Sequence, residues 1–139
     1  GEVRLASLPS LEPTEALPLR HASEVVSLSF GAWTPGSSAA PLLASASLDK
    51  DIAVFQVEPR TLQASLLLHL SGHPASICHV ALMGGLGTDG PLHLAACHAD
   101  RSLALRELEL GATGASVKRM ARQPSRGGDW VGLCAHPAK

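Results

Sequence analysis

The chain lacks tyrosine, has only two tryptophans and two phenylalanines, and carries few charges, at 17% of its 139 residues. A typical soluble domain has roughly 25% charged residues. With so few aromatic side chains, a core has to be built mainly from Leu, Ala and Val. The shortage of charge indicates that part of the surface is normally covered by something else. The net charge of −1 gives no reason to expect nucleic acid or an acidic membrane as the main partner.

Long apolar runs and a cysteine framework are also missing. No stretch approaches the roughly 18 uninterrupted apolar residues of a membrane span, and GEVRLASLPS at the N-terminus has no signal-peptide pattern. The three cysteines (Cys78, Cys97 and Cys134) have no framework spacing, which is typical of a reducing compartment. The sequence therefore predicts a cytoplasmic protein without membrane contact.

What the chain does contain is an internal repeat. The segments HASEVVSLSF, HPASICHVAL and RGGDWVGLCA begin at His21, His73 and Arg126, which are 52 (73 − 21) and 53 (126 − 73) residues apart. In each of them apolar residues follow at the same three offsets. Such self-similarity is the signature of a repeat architecture.

The second half of each unit repeats as well. PLLASASLDKDIAVFQVE and PLHLAACHADRSLALRELE each contain an apolar strand pattern, an Asp-centred turn and a second, alternating strand, with Asp49 and Asp100 51 residues apart (100 − 49). Alternation predicts half-buried strands, and Asp suits tight turns. We therefore predict four short antiparallel strands in each unit, at 25–30, 41–47, 51–57 and 64–70, and at 76–82, 91–97, 102–108 and 116–122.

One set of residues in the first unit resembles a known motif. His21, Ser47, Asp49 and Phe55 are similar to the His–Ser–Asp–Trp tetrad of WD repeats, with Phe in place of Trp. The resemblance implies a structural hydrogen-bond relay between the loop that enters a propeller blade and the turn between its second and third strands. Phe55 has no indole N–H to donate.

The second unit departs further from this motif. It keeps His73 and Asp100 but has His98 at the serine position and Arg106 at the tryptophan position. We therefore expect an incomplete relay in this unit and more dependence on its neighbours.

The resemblance implies an all-β fold that is part of a WD-repeat β-propeller. The predicted propeller segment comprises two full four-stranded blades (21–72 and 73–125), the end of a preceding blade (1–20) and the first strand of a following one (126–139). Because closed propellers take about four to eight blades, the truncated outer units predict that the segment belongs to a longer chain.

The order of the segments around LLASASLD is similar to the WD-repeat scaffolds that include mitogen-activated protein kinase-binding protein 1 and its spindle-pole, microcephaly-associated relative. This implies a non-catalytic scaffold with protein partners in kinase signalling, centrosomes or microtubules, and with no cofactor or small-molecule substrate. A structural WD-repeat protein of cilia or microtubules is the alternative within the same class.

An enzyme is the alternative from another class. Residues 85–90 match the G-x-G-x-x-G pattern of a dinucleotide-binding turn, but the site needs a helix next, and the following residues predict a strand hairpin. A hydrolase site at His21, Ser47 and Asp49 lacks the G-x-S-x-G elbow. Five candidate metal ligands also lack metal-site spacing: Cys78, His79, His93, Cys97 and His98.

Four positive charges lie close together near the predicted outer strand of the second unit: Lys118, Arg119, Arg122 and Arg126. Charge on an exposed edge protects it against unwanted strand pairing. The alternative is a contact for an acidic partner, such as a tubulin tail.

Overall fold

The computed structural model describes residues 1–8, 10–31, 40–84, 91–111 and 113–124. Within these ranges the regular structure consists of strands alone, so the predicted all-β class is confirmed for this part of the chain. The strands are β1 Arg4–Ala6, β2 Pro13–Ala16, β3 Val25–Phe30, β4 Leu42–Ser47, β5 Ile52–Val57, β6 Ala64–Leu70, β7 Ile77–Met83, β8 Leu92–His98, β9 Ser102–Leu110 and β10 Ala115–Pro124.

The strands form three antiparallel sheets, each built from neighbours in sequence. The N-terminal sheet contains β1 and β2, the first four-stranded sheet has the order β3-β4-β5-β6, and the second four-stranded sheet has the order β7-β8-β9-β10. The predicted strands agree with the observed ones within one or two residues, and two of them coincide, at 25–30 and 64–70. The predicted strand within 126–139 lies outside the described residues.

Equivalent tight turns join the second and third strands of both four-stranded sheets. Lys50 and Arg101 have positive φ angles of 73° and 66°. The preceding aspartates stabilise these turns, because Asp49 Oδ1 accepts a hydrogen bond from the Asp51 amide (2.9 Å) and Asp100 Oδ1 accepts one from the Ser102 amide (3.0 Å). An Asp side chain that bonds the backbone two residues on is the interaction expected for such turns.

The repeat extends into the N-terminal sheet, within residues 1–20, where the sequence predicts the end of a preceding unit. Leu11 follows β1 and Leu62 follows β5, 51 residues apart (62 − 11), with left-handed φ angles of 55° and 56°. Each leucine amide donates to the carbonyl four residues earlier, on Ser7 and Glu58 respectively, at 2.8 Å. The β1–β2 hairpin is therefore the structural equivalent of the β5–β6 hairpin.

Two apolar clusters hold the sheets together. The larger lies between the two four-stranded sheets, and the smaller lies between the first of them and the N-terminal sheet. The larger cluster is built from Leu, Ala, Ile and Val, with Leu the most frequent, and it contains no aromatic residue among its buried members. Its buried members are Leu42, Ala44, Ala46, Ile52, Val54, Ile77, Val80, Leu82, Leu92, Leu94, Ala96 and Leu108.

Side-chain hydroxyl groups reinforce the contact between the two four-stranded sheets. Ser27 and Ser29, on the edge strand β3, accept hydrogen bonds through Oγ from the amides of Val80 (3.1 Å) and Leu82 (3.0 Å) on β7. These amides are thereby satisfied at the edge of β7, where no further strand of the described chain pairs with them. The two serines therefore connect neighbouring sheets through hydrogen bonds between side chain and backbone.

Candidate functional site

The first cluster of buried polar groups connects His21, Asp49 and Ser45. Asp49 Oδ2 accepts hydrogen bonds from His21 Nδ1–H (3.1 Å) and from the Ala22 amide (2.8 Å). Because the carboxylate takes the proton-bearing Nδ1, His21 Nε2 is the acceptor, and the Ser45 hydroxyl donates to it at 2.8 Å. The arrangement ties the loop before β3 to strand β4 and to the turn after it.

The serine that meets the His21 ring is Ser45, and Ser47, the serine that the tetrad resemblance names, bonds within the turn. Once Nδ1 meets Asp49, the opposite ring nitrogen lies one ring width deeper in the sheet, where it meets Ser45. Ser47 is nearer the turn, and its Oγ accepts a hydrogen bond from the Asp49 amide at 3.2 Å. Both serines face the same side of β4, because residues two apart share a face. Which of them meets His21 depends on how far the imidazole ring reaches into the sheet.

Phe55, the fourth residue of the tetrad resemblance, is buried in the smaller apolar cluster. It is 1% exposed and packs in the smaller apolar cluster with Val3, Leu17 and Leu43. It fills the tryptophan position by volume, without contributing a hydrogen bond to the relay.

The charge of Asp49 is stabilised despite its partial burial. Burial acts to raise the pKa of this carboxyl, but the hydrogen bonds from the Asp51 and Ala22 amides, with His21 and Ser47, outweigh it and lower the pKa. Asp49 therefore remains an acceptor over the whole neutral range.

Asp49, His21 and Ser45 stand in the order of a hydrolytic triad, so catalysis has to be considered on geometry. A nucleophilic serine has to meet substrate, with its base and a place for the reacting atom beside it. Ser45 is 0% exposed and His21 3% exposed. This arrangement is therefore suited to fixing the turn and not to attacking a substrate.

The second cluster has a different pattern, centred on two histidines. His73 Nδ1 and His98 Nε2 are 2.9 Å apart, and His98 Nδ1 lies 3.3 Å from the Ser102 carbonyl oxygen. A carbonyl can only accept, so His98 carries its proton on Nδ1, and His73 Nδ1–H donates to His98 Nε2. The tautomers of both rings thus follow from the Ser102 carbonyl.

No hydrogen bond joins Asp100 to His73 among the described residues, so the relay of the first unit is not repeated in the second. The imidazole of His98 is longer than a serine side chain and reaches His73 first. Asp100 instead accepts hydrogen bonds from the Ser102 hydroxyl (2.6 Å) and from Arg122. The Ser102 interactions are the main cause of its lowered pKa, and Arg122 adds to the effect.

Arg106 occupies the position that Phe55 has in the first sheet. It is 8% exposed, and its Nη1 is the buried side-chain atom without a hydrogen-bond partner among the described residues. Its Nη2 lies 3.4 and 3.5 Å from the two ring nitrogens of His73. Contact with both nitrogens at once places the guanidinium over the imidazole ring. The guanidinium can pack against a neutral ring, but it would repel a protonated one.

The two histidines of this cluster are consequently held neutral. Burial is the main cause that lowers the pKa of His73 to about 4, and Arg106 and His98 lower it further, while Asp51 opposes them. Burial also lowers the pKa of His98, against the opposing effect of the Ser102 carbonyl. Protonation of either ring would place a second positive charge beside Arg106.

Three of the four basic residues near the C-terminal end lie on β10, which is an edge strand as predicted. Lys118 is 3.5 Å from Glu107, and Arg122 is bound to Asp100 and, at 2.8 Å, to Ser102. Arg119 has no ion pair within the ranges that the structure covers, and Arg126 lies outside them. Two of the four charges are thus already engaged within the sheet.

The remaining candidate ligands do not assemble into a site. Among the residues described, no group of three or more His, Cys, Asp or Glu side chains could hold a metal ion. Cys97 is buried, and burial is the main cause that raises the pKa of its thiol to about 11. The glycine segment 85–90 lies outside the described ranges, and the residues after it form strand β8, where a dinucleotide site requires a helix.

Comparison of the chain with protein-family models and with curated protein sequences finds no match. In the part of the chain that is described, no helix has the length and apolar character needed to cross a membrane.

Proposed function

We propose that the chain is a segment of a WD-repeat β-propeller that acts as a non-catalytic scaffold for other proteins. The observation that carries the proposal is the face-to-face stacking of two four-stranded sheets whose equivalent residues recur about every 52 positions. Each sheet is an antiparallel series of neighbouring strands, as propeller blades are. A repeat of this kind buries its apolar face only against the next repeat.

The polar clusters support a structural role over a catalytic one. His21 and Ser45 are buried, and the Arg106 guanidinium lies against the His73 ring. Protein partners are then expected at loops and sheet edges. By the family resemblance they belong to kinase signalling, centrosomes or microtubules.

The test is to isolate the native protein with an antibody against this segment and to measure its mass and its co-purifying proteins. We expect a mass far above the 14.4 kDa of this chain, with room for a full propeller, and specific protein partners. A native protein of 14.4 kDa would overturn the propeller proposal. Co-purification of ciliary axoneme proteins without kinases would favour the structural alternative over signalling.

A further inference from the structure

Two large apolar side chains of β3 are exposed although their equivalents on β7 are buried. Leu28 is 53% exposed and Phe30 57% exposed, whereas Val80 and Leu82, each 52 residues later (80 − 28 and 82 − 30), are 3% and 2% exposed. The difference lies in what covers them. Val80 and Leu82 face β3 and β4 of the preceding sheet, but the sheet that precedes β3 contains only β1 and β2.

The N-terminal sheet packs against β4, β5 and the beginning of β3, and it leaves Leu28 and Phe30 exposed. Val3 and Leu17 pack against Leu43, Phe55 and Val57, while Leu28 and Phe30 are absent from this cluster. Since β1 and β2 are equivalent to β5 and β6, equivalents of β3 and β4 would pair with the free edge of β1. Such strands would lie over Leu28 and Phe30.

The contact between the two four-stranded sheets shows what chemistry this position requires. There the covering strand β3 accepts hydrogen bonds from the Val80 and Leu82 amides through Ser27 and Ser29. The equivalent amides on β3 are those of Leu28 and Phe30, on an edge strand. A complementary strand therefore needs small hydroxyl side chains two residues apart, at the same spacing as Ser27 and Ser29.

We propose that the Leu28–Phe30 face is the docking surface for a pair of antiparallel strands, added to the free edge of β1, whose inner strand has Ser or Thr at two positions two residues apart. The proposal rests on the proposed function, in which such a strand pair would come from another part of the propeller. Its apolar side chains cover Leu28 and Phe30, and its hydroxyl groups accept hydrogen bonds from their amides. The docking thus combines apolar burial with a requirement for hydroxyl groups.

A second copy of this chain fits the surface less well. In a second copy, β7 is the strand that would take the place of β3. On β7, His79 and Ala81 occupy the positions equivalent to Ser27 and Ser29 (79 − 27 and 81 − 29 are both 52). Ala81 has no hydroxyl group and leaves one amide without an acceptor. Leaving a covered amide unpaired costs more than the missing hydrogen bond alone.

The probe is a backbone-cyclised peptide that joins residues 25–30 and 42–47 through a D-Pro-Gly turn, with appended lysines for solubility. Its matched control has both serines of the VVSLSF strand replaced by alanine. We expect the first peptide to bind the 139-residue chain and to slow hydrogen exchange at the Leu28 and Phe30 amides. The alanine control should bind about tenfold more weakly or worse, because two hydrogen bonds are lost.

Variants of the chain locate the binding surface. Leu28→Asp and Phe30→Asp change exposed side chains and should abolish peptide binding, whereas Leu8→Asp, at a residue that is 83% exposed elsewhere, should leave it unchanged. Equal affinity for the two peptides, no binding, or binding unaffected by Phe30→Asp would overturn the proposal. Self-association in sedimentation velocity that is lost with Phe30→Asp would assign the surface to a second copy and overturn it too.

The outcomes separate this proposal from the proposed function. A large native protein together with equal binding of both peptides refutes the hydroxyl-dependent docking alone. A native protein of 14.4 kDa refutes the propeller proposal, whatever the peptides do.

Discussion

Acidification should destabilise the fold in a pH range set by the His73–His98 cluster. In the unfolded chain His73 takes up a proton near its ordinary pKa of 6.5, whereas in the fold its pKa is about 4. Above pH 6.5 His73 is neutral in the folded and in the unfolded state, so it adds no pH dependence to the stability. As the pH falls from 6.5 towards 4, only the unfolded state gains the proton, so stability decreases.

The size of the effect follows from the same two pKa values. Their separation corresponds to about 3 kcal/mol of lost unfolding free energy once the pH is below 4, of which about 2 kcal/mol is already lost at pH 5. His98 shifts in the same direction and adds to the loss. Asp49 and Asp100 contribute at lower pH, because their lowered pKa values stabilise the fold above their ordinary value of 3.8 and this stabilisation is lost below it.

The measurement is urea unfolding of the chain between pH 8 and pH 4.5, followed by circular dichroism. His73→Gln keeps a polar side chain but removes the titration, and should flatten most of the dependence between pH 6.5 and 5. His69→Gln is the matched control, since it makes the same exchange at an exposed histidine and leaves the His73–His98 cluster intact; this variant should still lose stability between pH 6.5 and 5. If the wild type were equally stable at pH 8 and pH 5, or if His73→Gln lost as much stability as the wild type, the reasoning would be refuted.

Three further outcomes are expected. Asp49→Ala should lower the unfolding free energy by roughly 1–3 kcal/mol, because it leaves buried donors unpaired, and a change within about 0.3 kcal/mol in urea unfolding would argue against a structural relay. Arg106→Leu should increase the unfolding free energy by about 1 kcal/mol or more, because it removes a buried charge with an unpartnered nitrogen; a decrease in the same assay would show that the guanidinium stabilises the fold. If β10 binds acidic partners, Arg119→Glu should weaken fluorescence-detected binding of a poly-glutamate peptide more than Lys118→Glu does, since Lys118 is already paired; equal effects would contradict this.

Local patterns in the sequence were sufficient for the strands and turns. Alternation predicts the strands because successive side chains of a strand face opposite sides, and the aspartates at 49 and 100 mark turns because their carboxylates reach the backbone two residues on. These are interactions between near neighbours in the chain, so the repeat is visible as spacing. The observed bounds agree within one or two residues, with β9 and β10 longer than expected.

The partners of the polar side chains depended on distances across the sheet. Ser45 and Ser47 are equivalent in the sequence pattern, and only the depth of the His21 ring shows that Ser45 meets it. Likewise, the length of the His98 side chain directs His73 away from Asp100. No local pattern encodes these distances, because they depend on how a loop from one end of the unit lies against a strand from the other.

The sequence by itself determined an all-β chain with a period of about 52 residues, since alternation and turn chemistry act within a few residues. The tertiary structure alone decided which equivalent residues are covered. Val80 and Leu82 are buried and Leu28 and Phe30 are exposed, although Val80 is the equivalent of Leu28 and Leu82 is the equivalent of Phe30 in the repeat. The physical reason is that burial depends on the neighbouring sheet, which supplies four strands on one side and two on the other.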